Sequence, residues 1–272
     1  MRSLPSFLGG LVATLAAIVT VPMLWLSVNV RDEDGFAALS NQLAADAELQ
    51  RSVSAYLAED FVARGLLPGA LQAPAAAAMT LVAGQATNQP EFATAWEASQ
   101  RSLHQSALEE TSGPVTVDLS PIAAFVVDRV GEQLPVALPG DITVPVQIGD
   151  EQDRDRLQWV ERSRMWSLLG LMVILVSVAV CFLGARSKSL AIAGLGFGAL
   201  VVAGTLWSAT TVVSPMLIDG FEDSTEFAKS LQKLLVDRAA DSLATWLTPM
   251  AWAGAAATVV GLLGHAVASR RR

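Results

Sequence analysis

Hydrophobic residues form four long runs in this 272-residue chain, and none of the runs contains Asp, Glu, Lys or Arg. A helix that crosses the hydrocarbon core of a bilayer needs about 20 apolar residues. The pattern therefore predicts an α-helical polytopic membrane protein with four transmembrane helices. The predicted spans are residues 7–29, 165–184, 190–213 and 247–268.

A fifth apolar stretch, residues 68–84, does not fit a span, because it is rich in alanine and interrupted by Pro68, Gly69 and Pro74. The first of the four runs is too long for the core of a typical signal peptide, and no small-x-small cleavage site follows it. We interpret it as a retained membrane anchor.

Between the first two spans the pattern is mainly helical. Apolar side chains recur at helical spacing over residues 34–64 and again over residues 75–110, with a break at residues 65–74 and an interruption near residues 84–90. These segments predict a mainly α domain.

Two shorter segments alternate instead between apolar and polar residues. VTVDL at 115–119 and ITVPVQI at 142–148 have the period of half-buried strands. Pro145 has no backbone N–H to donate, which predicts an edge strand. Ser120 and Pro121 fit the N-cap and first position of a short helix between the strands. Two strands are unstable alone, so we expect them to pack on the helices.

The segments next to the spans also have helical signals. Asp150 can cap a helix, and no proline or glycine follows before Gly170, so we predict one continuous helix into the second span. Residues 214–246 contain an amphipathic helix. Its apolar face carries Phe227, Leu231, Leu234 and Leu235. We expect this face to pack on the main domain, and binding to a partner is the alternative.

Charge gives the orientation. Residues 1–6, 185–189 and 269–272 carry six basic and no acidic residues, while the other side receives 12 basic and all 26 acidic residues, a net charge of −14. Cytoplasmic loops are enriched in Lys and Arg. We therefore predict a plasma-membrane protein whose two ends and loop 185–189 are cytoplasmic. The extracytoplasmic parts would be a domain of residues 30–164 and a loop of residues 214–246.

The stretch FATAWEASQRSLHQ, residues 92–105, is the main candidate for a functional surface. On a helix, Trp96 lies on the apolar face and His104 about 80° away, at the border of that face. This is typical of a core helix with one polar edge. A ligand-facing role and catalysis are the alternatives, and the candidate ligand or interaction face is Trp96, Arg101 and His104.

Catalytic and metal signatures are weak. Asp32 and Asp34 begin like a calcium loop, but Phe36 stands where the next ligand is needed, so a helix start is the better interpretation. His104 has no cysteine or second histidine nearby in the domain to complete a zinc site. We predict no catalytic residue, metal ligand or cofactor, although a Ser-His-Asp set assembled from distant positions stays open. Cys181 is the only cysteine, which excludes an intramolecular disulfide.

The spans themselves suggest packing rather than transport. They contain no charged residue, which disfavours a pump or an ion channel, and His265 lies near the inner end of its span. Small residues at four-residue spacing let helices approach closely. We expect helix packing within the bundle, with homo-oligomer formation as the alternative. The predicted packing residues are Gly194, Gly198, Ala253, Ala257 and Gly261.

The order of several motifs resembles a family of four-span integral membrane proteins widespread in actinobacteria. The motifs are NVRDEDGF at 29–36, LAADAELQRSVSAYL at 43–57, FATAWEASQRSLHQSAL at 92–108, VTVDLSPI at 115–122 and LPGDITVPVQ at 138–147. The resemblance implies the same threading and an extracytoplasmic α+β domain. It implies no reaction, and it carries over no functional residue.

These features favour a non-enzymatic cell-envelope protein. Its ectodomain would bind an envelope component or a partner membrane protein, as an accessory or scaffold subunit. Handling of a lipid or glycolipid at the outer face is the alternative, and an extracytoplasmic hydrolase is the third hypothesis. Membrane lipids are expected partners, whereas the acidic exterior disfavours nucleic acid.

Overall fold

The computed structural model describes residues 3–65, 89–133, 142–218 and 225–270, together with Pro74 and Ala77. The chain divides into two compact units. The span unit comprises residues 1–28, 160–216 and 239–272, and the α+β unit comprises residues 29–159 and 217–238. The rejected stretch 68–84 and the start of the second predicted helix fall outside the described residues, apart from Pro74 and Ala77.

The described part of the chain is mostly helical, with one small antiparallel sheet. Its elements are α1 (Ser3–Leu26), a π-helical turn (Ser27–Arg31), α2 (Glu33–Asn41), a 3₁₀ turn (Gln42–Ala45), α3 (Ala47–Ala63), α4 (Pro90–Leu108), β1 (Val115–Asp118), α5 (Ser120–Gln133), β2 (Pro145–Gly149), α6 (Glu151–Gly184), α7 (Lys188–Ile218) and α8 (Glu226–Arg270).

Four of these helices are long and apolar enough to cross a membrane: α1 with its π turn, α6, α7 and α8. They include all four predicted spans, which confirms the polytopic helical fold. Two of them, α6 and α8, extend well beyond the predicted limits of their spans. The helix containing the fourth span is 45 residues long and continues through Pro249.

The predicted helix over residues 34–64 is wrong in one respect, because a break divides it. The chain makes a 3₁₀ turn over Gln42–Ala45, and Asp46 then adopts an extended conformation. The Asp46 carboxylate accepts hydrogen bonds from the backbone nitrogens of Glu48 and Leu49, at 2.8 and 3.1 Å. It therefore caps a new helix, α3. The apolar positions change phase here, since Leu43 and Leu49 are six residues apart, and the prediction joined the two sets into one helix.

The two strands pair antiparallel, and their side chains alternate as predicted. Val117 pairs with Val146 and both are buried. The second strand begins at Pro145 instead of Ile142. Just before it, the Val144 backbone bonds with the corner that leads into α5. Its nitrogen donates to Ser120 Oγ at 2.9 Å, and its carbonyl accepts from the Leu119 nitrogen at 2.9 Å.

The free edge of β1 is covered by serines of α4. The backbone nitrogen of Thr116 donates to Ser106 Oγ at 3.0 Å, and that of Asp118 donates to Ser102 Oγ at 2.9 Å. Serines four residues apart on a helix rise about 6 Å, which is close to the rise of two strand residues, about 6.8 Å. Because the spacings match, the serines can bond the backbone N–H groups at this edge of β1, which would otherwise be open to pairing with another chain.

Helix α6 begins with the predicted cap at Asp150. The Asp150 carboxylate accepts from the Asp153 nitrogen at 2.8 Å, and the Asp153 carboxylate accepts from the Asp150 nitrogen at 3.2 Å. This reciprocal pair is a capping box with aspartate in the glutamate position. The helix is continuous from Glu151 to Gly184, as predicted.

The core of the α+β unit draws on nearly every element of that unit. Leu57, Phe61 and Val117 are fully buried in it. The amphipathic helix predicted in residues 214–246 is the first part of α8, and its Phe227 and Leu231 lie in the same core. Its apolar face is thus covered by the unit itself, as expected, and the alternative of a partner-binding face is not supported.

Candidate functional site

Trp96 is a core residue. Its side chain is 1% exposed and belongs to the hydrophobic core of the α+β unit. The indole nitrogen donates a hydrogen bond to the Ser40 carbonyl at 3.1 Å, near the end of α2. A buried tryptophan needs such a partner for its N–H. Trp96 therefore joins α4 to α2, and it offers no surface to a ligand.

His104 is buried as well, whereas the sequence placed it at the border of the apolar face. The side chain is 5% exposed, and its ring centroid lies 5.4 Å from that of Phe36. Nε2 lies 3.1 Å from the Arg31 carbonyl. Because a carbonyl only accepts, the contact requires a proton on Nε2. In the described chain Nδ1 has no hydrogen-bond partner, so no carboxylate or hydroxyl orients the ring for catalysis.

Two neighbouring polar side chains share this buried part of α4. Ser99 and Gln100 are almost fully buried. Within the described chain neither the Ser99 hydroxyl nor the Gln100 side-chain amide has a hydrogen-bond partner. Gln100 lies one turn from both Trp96 and His104. Buried polar atoms without hydrogen-bond partners are uncommon in folded proteins. In the described core, they are concentrated at residues 99–104 of α4.

Arg101 lies on the opposite, exposed side of α4. Its guanidinium pairs with Glu97 at 2.6 Å on the same helix and with Glu33 at 3.3 Å on α2. The hydrogen bond to Glu97, with the negative charges of Glu97 and Glu33, raises the pKa of Arg101 above its ordinary value. The predicted face of Trp96, Arg101 and His104 is therefore not one face, since two of its members are buried and the third is exposed.

A residue that the sequence did not single out holds this part of the fold together. Arg154, in the first turn of α6, is 4% exposed. Its guanidinium donates to the carbonyls of Ser106, Glu110 (2.7 Å), Gly113 (2.7 Å) and Pro114 (2.8 Å). It also pairs with the Glu110 carboxylate at 3.3 Å.

This arrangement uses all five N–H donors of the guanidinium. The carbonyls belong to the end of α4 and to the turn that leads into β1. A cation placed at a helix C-terminus is also stabilised by the helix dipole. Arg154 thus joins α4, β1 and α6. In sequence it lies in the run DEQDRDR, which resembles an ordinary solvated first turn.

In the span unit, glycines of α7 make close contacts on two sides. A Cβ added at Gly196 would stand 2.6 Å from the Thr258 nitrogen of α8. One added at Gly198 would meet the Thr14 hydroxyl of α1. Gly198 therefore packs as predicted. Gly194 does not, because no atom lies within 4 Å of the position that its Cβ would take.

On α8 the packing residues agree with the prediction at one position and differ from it at another. A Cβ added at Gly254 would stand 2.8 Å from the Gly196 carbonyl oxygen. One added at Gly261 would stand 2.5 Å from the Ala193 nitrogen. Ala253 is exposed and Ala257 is partly buried. Of the three residues predicted on α8, Gly261 makes a close contact. Gly254 also makes one, although it was not among the predicted residues.

A cavity of about 960 Å³ lies in the span unit. Helices α1 and α7 line it together with the turn at residues 185–187 and the end of α8. Gly194 is part of its lining, which explains the open space beside this glycine. His265 lies at one end, where its Nδ1 is 3.4 Å from the Ser187 hydroxyl.

Comparisons with known proteins give no further assignment. No family model, no curated protein and no solved structure matches the chain. In the described ranges, no group of three or more His, Cys, Asp or Glu residues is placed to hold a metal ion.

Proposed function

We propose that this is a non-enzymatic membrane protein of the cell envelope whose α+β unit binds a partner membrane protein or another envelope component. In this proposal the unit lies outside the cytoplasm, and the protein acts as an accessory or scaffold subunit. The four apolar helices anchor the unit in the plasma membrane.

The observation that carries the proposal is the charge of the α+β unit. It contains 24 acidic and 10 basic residues in sequence, a net charge of −14. Its buried candidate side chains, Trp96 and His104, serve the core, so recognition is left to the surface. A strongly acidic surface attracts basic partners or partners bridged by cations, and it repels nucleic acid.

Hydrolysis has less support. A catalytic histidine needs a nucleophile on one side and an orienting group on the other. His104 instead faces the Arg31 carbonyl and the Phe36 ring. Lipid handling at the outer face gains no support from the two cavities of the span unit, because their lining residues lie in the halves of the helices next to the basic segments.

The orientation is tested by labelling single cysteines in intact cells with a maleimide that does not cross membranes. Cys181 is buried and is replaced by serine to give a cysteine-free background. Ser112→Cys places a thiol on an exposed turn of the α+β unit, and Ser269→Cys places one near the basic end. We expect labelling of the first variant only. Labelling of the second variant alone would reverse the proposed orientation.

Binding is tested by crosslinking through a photoreactive amino acid at Gln105, an exposed position on α4. The test variant removes three exposed carboxylates with Glu59→Gln, Glu109→Gln and Asp128→Asn. The control variant adds charge with Gln42→Glu on the same unit. A specific acidic surface predicts a discrete adduct that the first variant weakens and the control keeps. An adduct unchanged by the loss of three charges would contradict the charge argument.

A further inference from the structure

The cavity in the span unit has a polar end and an apolar floor. Its polar end carries Arg186, Ser187 and His265, and Ser187 and His265 lie within 3.4 Å of each other. Arg186 is exposed there. The described parts of the segments at this end, residues 3–6, 185–189 and 269–270, contain three basic residues, Arg186, Lys188 and Arg270, and no acidic residue. The end is therefore built to attract a negative group.

The apolar floor is one stripe of α7. Leu190, Gly194, Phe197 and Val201 follow one another at helical spacing and all line the cavity. From Leu190 to Val201 the helix rises about 16 Å. The hydrocarbon core of a bilayer is about 30 Å thick, so one leaflet is about half of that. The floor thus has the depth of one acyl chain.

Gly194 shows that this space is not needed for helix packing. Its neighbours in α7, Gly196 and Gly198, are glycines because another helix approaches them closely. At Gly194 a side chain would meet nothing within 4 Å, and the residue is exposed to the cavity. The volume of about 960 Å³ is at the upper end of the range for ligand sites, about 300–1,000 Å³.

We propose that this groove binds one anionic phospholipid from the leaflet at the basic end. The phosphate lies against Arg186, Ser187 and His265, and one acyl chain lies along α7 over Gly194. Basic pockets between transmembrane helices are a known mode of headgroup recognition. The bound lipid would complete the surface of the span unit, separately from whatever the α+β unit binds.

The test uses the full chain in nanodiscs made of equal parts phosphatidylglycerol and phosphatidylcholine with identical acyl chains. After release into the gas phase, native mass spectrometry counts the lipids that each molecule retains. We expect one retained phosphatidylglycerol. Gly194→Trp fills the groove and abolishes the retention. Arg186→Gln removes one charge and weakens retention about fivefold, since a basic residue near the headgroups contributes about 1 kcal/mol.

Matched controls separate the groove from general effects. Gly204 also has no atom within 4 Å of its Cβ position but does not line the cavity, so Gly204→Trp should keep the lipid. Arg164→Gln removes an exposed charge elsewhere on α6 and should also keep it. If Gly194→Trp does not fold, Arg186→Gln and its control decide.

Three results would overturn the proposal. The first is equal retention of the two lipids by the unmodified chain. The second is full retention of phosphatidylglycerol by both Gly194→Trp and Arg186→Gln. The third is a dimer that carries no lipid, because a second copy of the chain would then fill the groove.

Discussion

Replacing Arg154 by methionine tests how the α+β unit is held together. The guanidinium donates to four backbone carbonyls and one carboxylate, and the side chain is 4% exposed. Methionine fills similar space but donates nothing, so the four carbonyls lose their partner. The Glu110 carboxylate is 57% exposed and can return to water. The loss of stability in Arg154→Met is therefore determined by the unpaired carbonyls and not by the ion pair.

The magnitude follows from two limits. A hydrogen bond from a charged donor contributes about 1.5–3 kcal/mol, but such values do not add when the bonds share one group. Removing one partner of a buried charged cluster costs about 3–5 kcal/mol. We expect a loss near that figure, a large share of the total stability of about 5–15 kcal/mol that is usual for a folded unit.

The assay is hydrogen–deuterium exchange of the full chain in detergent, read in the peptides that cover residues 106–118. Loss of Arg154 should speed exchange there by two orders of magnitude or more, since about 1.4 kcal/mol corresponds to a factor of ten. The control is Arg101→Met on the exposed side of α4, where both carboxylate partners are about half exposed. Exposed ion pairs contribute little, so exchange should not change measurably.

Two outcomes would refute the reasoning. The first is that exchange over residues 106–118 in Arg154→Met matches that of the Arg101→Met control. The second is that Arg154→Lys behaves like the unmodified chain. Lysine keeps the charge but has only three donors and no planar fork. Full recovery with lysine would mean that charge alone, and not the set of carbonyl hydrogen bonds, stabilises this region.

Three further predictions follow from single contacts. Tyr56 is the only tyrosine, and burial, together with the charge of Asp60, raises its pKa above the ordinary value. Its contribution to stability should be present below the ordinary pKa of about 10 and lost as the pH rises through the raised value. Absorbance titration of tyrosinate should show the raised midpoint, and a midpoint that does not fall on unfolding would contradict it. Ser106→Ala leaves the Thr116 N–H without a partner and should lower the free energy of unfolding by about 1–3 kcal/mol. The assay is hydrogen–deuterium exchange of β1, which should become faster. Unchanged exchange would show that the serine does not protect the strand. Gly196→Ala places a methyl group against the α8 backbone and should lower the free energy of unfolding by about 1–3 kcal/mol. The midpoint of thermal unfolding in detergent should fall in this variant but not in the control Gly204→Ala. Equal midpoints would contradict the close approach of α7 and α8.

Long-range patterns in the sequence predicted much of the fold. The four long apolar helices could be predicted, because an apolar run of that length without a charged residue is typical of a membrane-spanning helix. The alternation of β1 and β2 and the cap at Asp150 were also visible, since each depends on neighbouring residues alone. The break at Asp46 was missed, because the apolar residues on its two sides were assigned to one helix although Leu43 and Leu49 are six residues apart. The Asp46 carboxylate caps a new helix there.

The candidate site was harder to predict, because burial depends on neighbours that are distant in sequence. The sequence predicts His104 at the border of the apolar face, but the Arg31 carbonyl and the Phe36 ring bury it. The sequence around Arg154 is typical of a solvated helix start. Its burial was not predicted, because the carbonyls that accept its hydrogen bonds lie about 40 residues earlier in the chain. On α8 the close contact is made by Gly254 and not by Ala253, because both are small residues and the sequence does not show which of them faces α7. The position of α7 alone determines which of them is covered.

The most direct measurement is native mass spectrometry of the full chain, extracted gently from its own membrane. Our proposal predicts a stoichiometric protein partner that is lost in the Glu59→Gln, Glu109→Gln and Asp128→Asn variant and kept in the Gln42→Glu variant. A chain that carries lipid but no protein partner, in every variant, would contradict the proposal that the α+β unit binds a partner membrane protein.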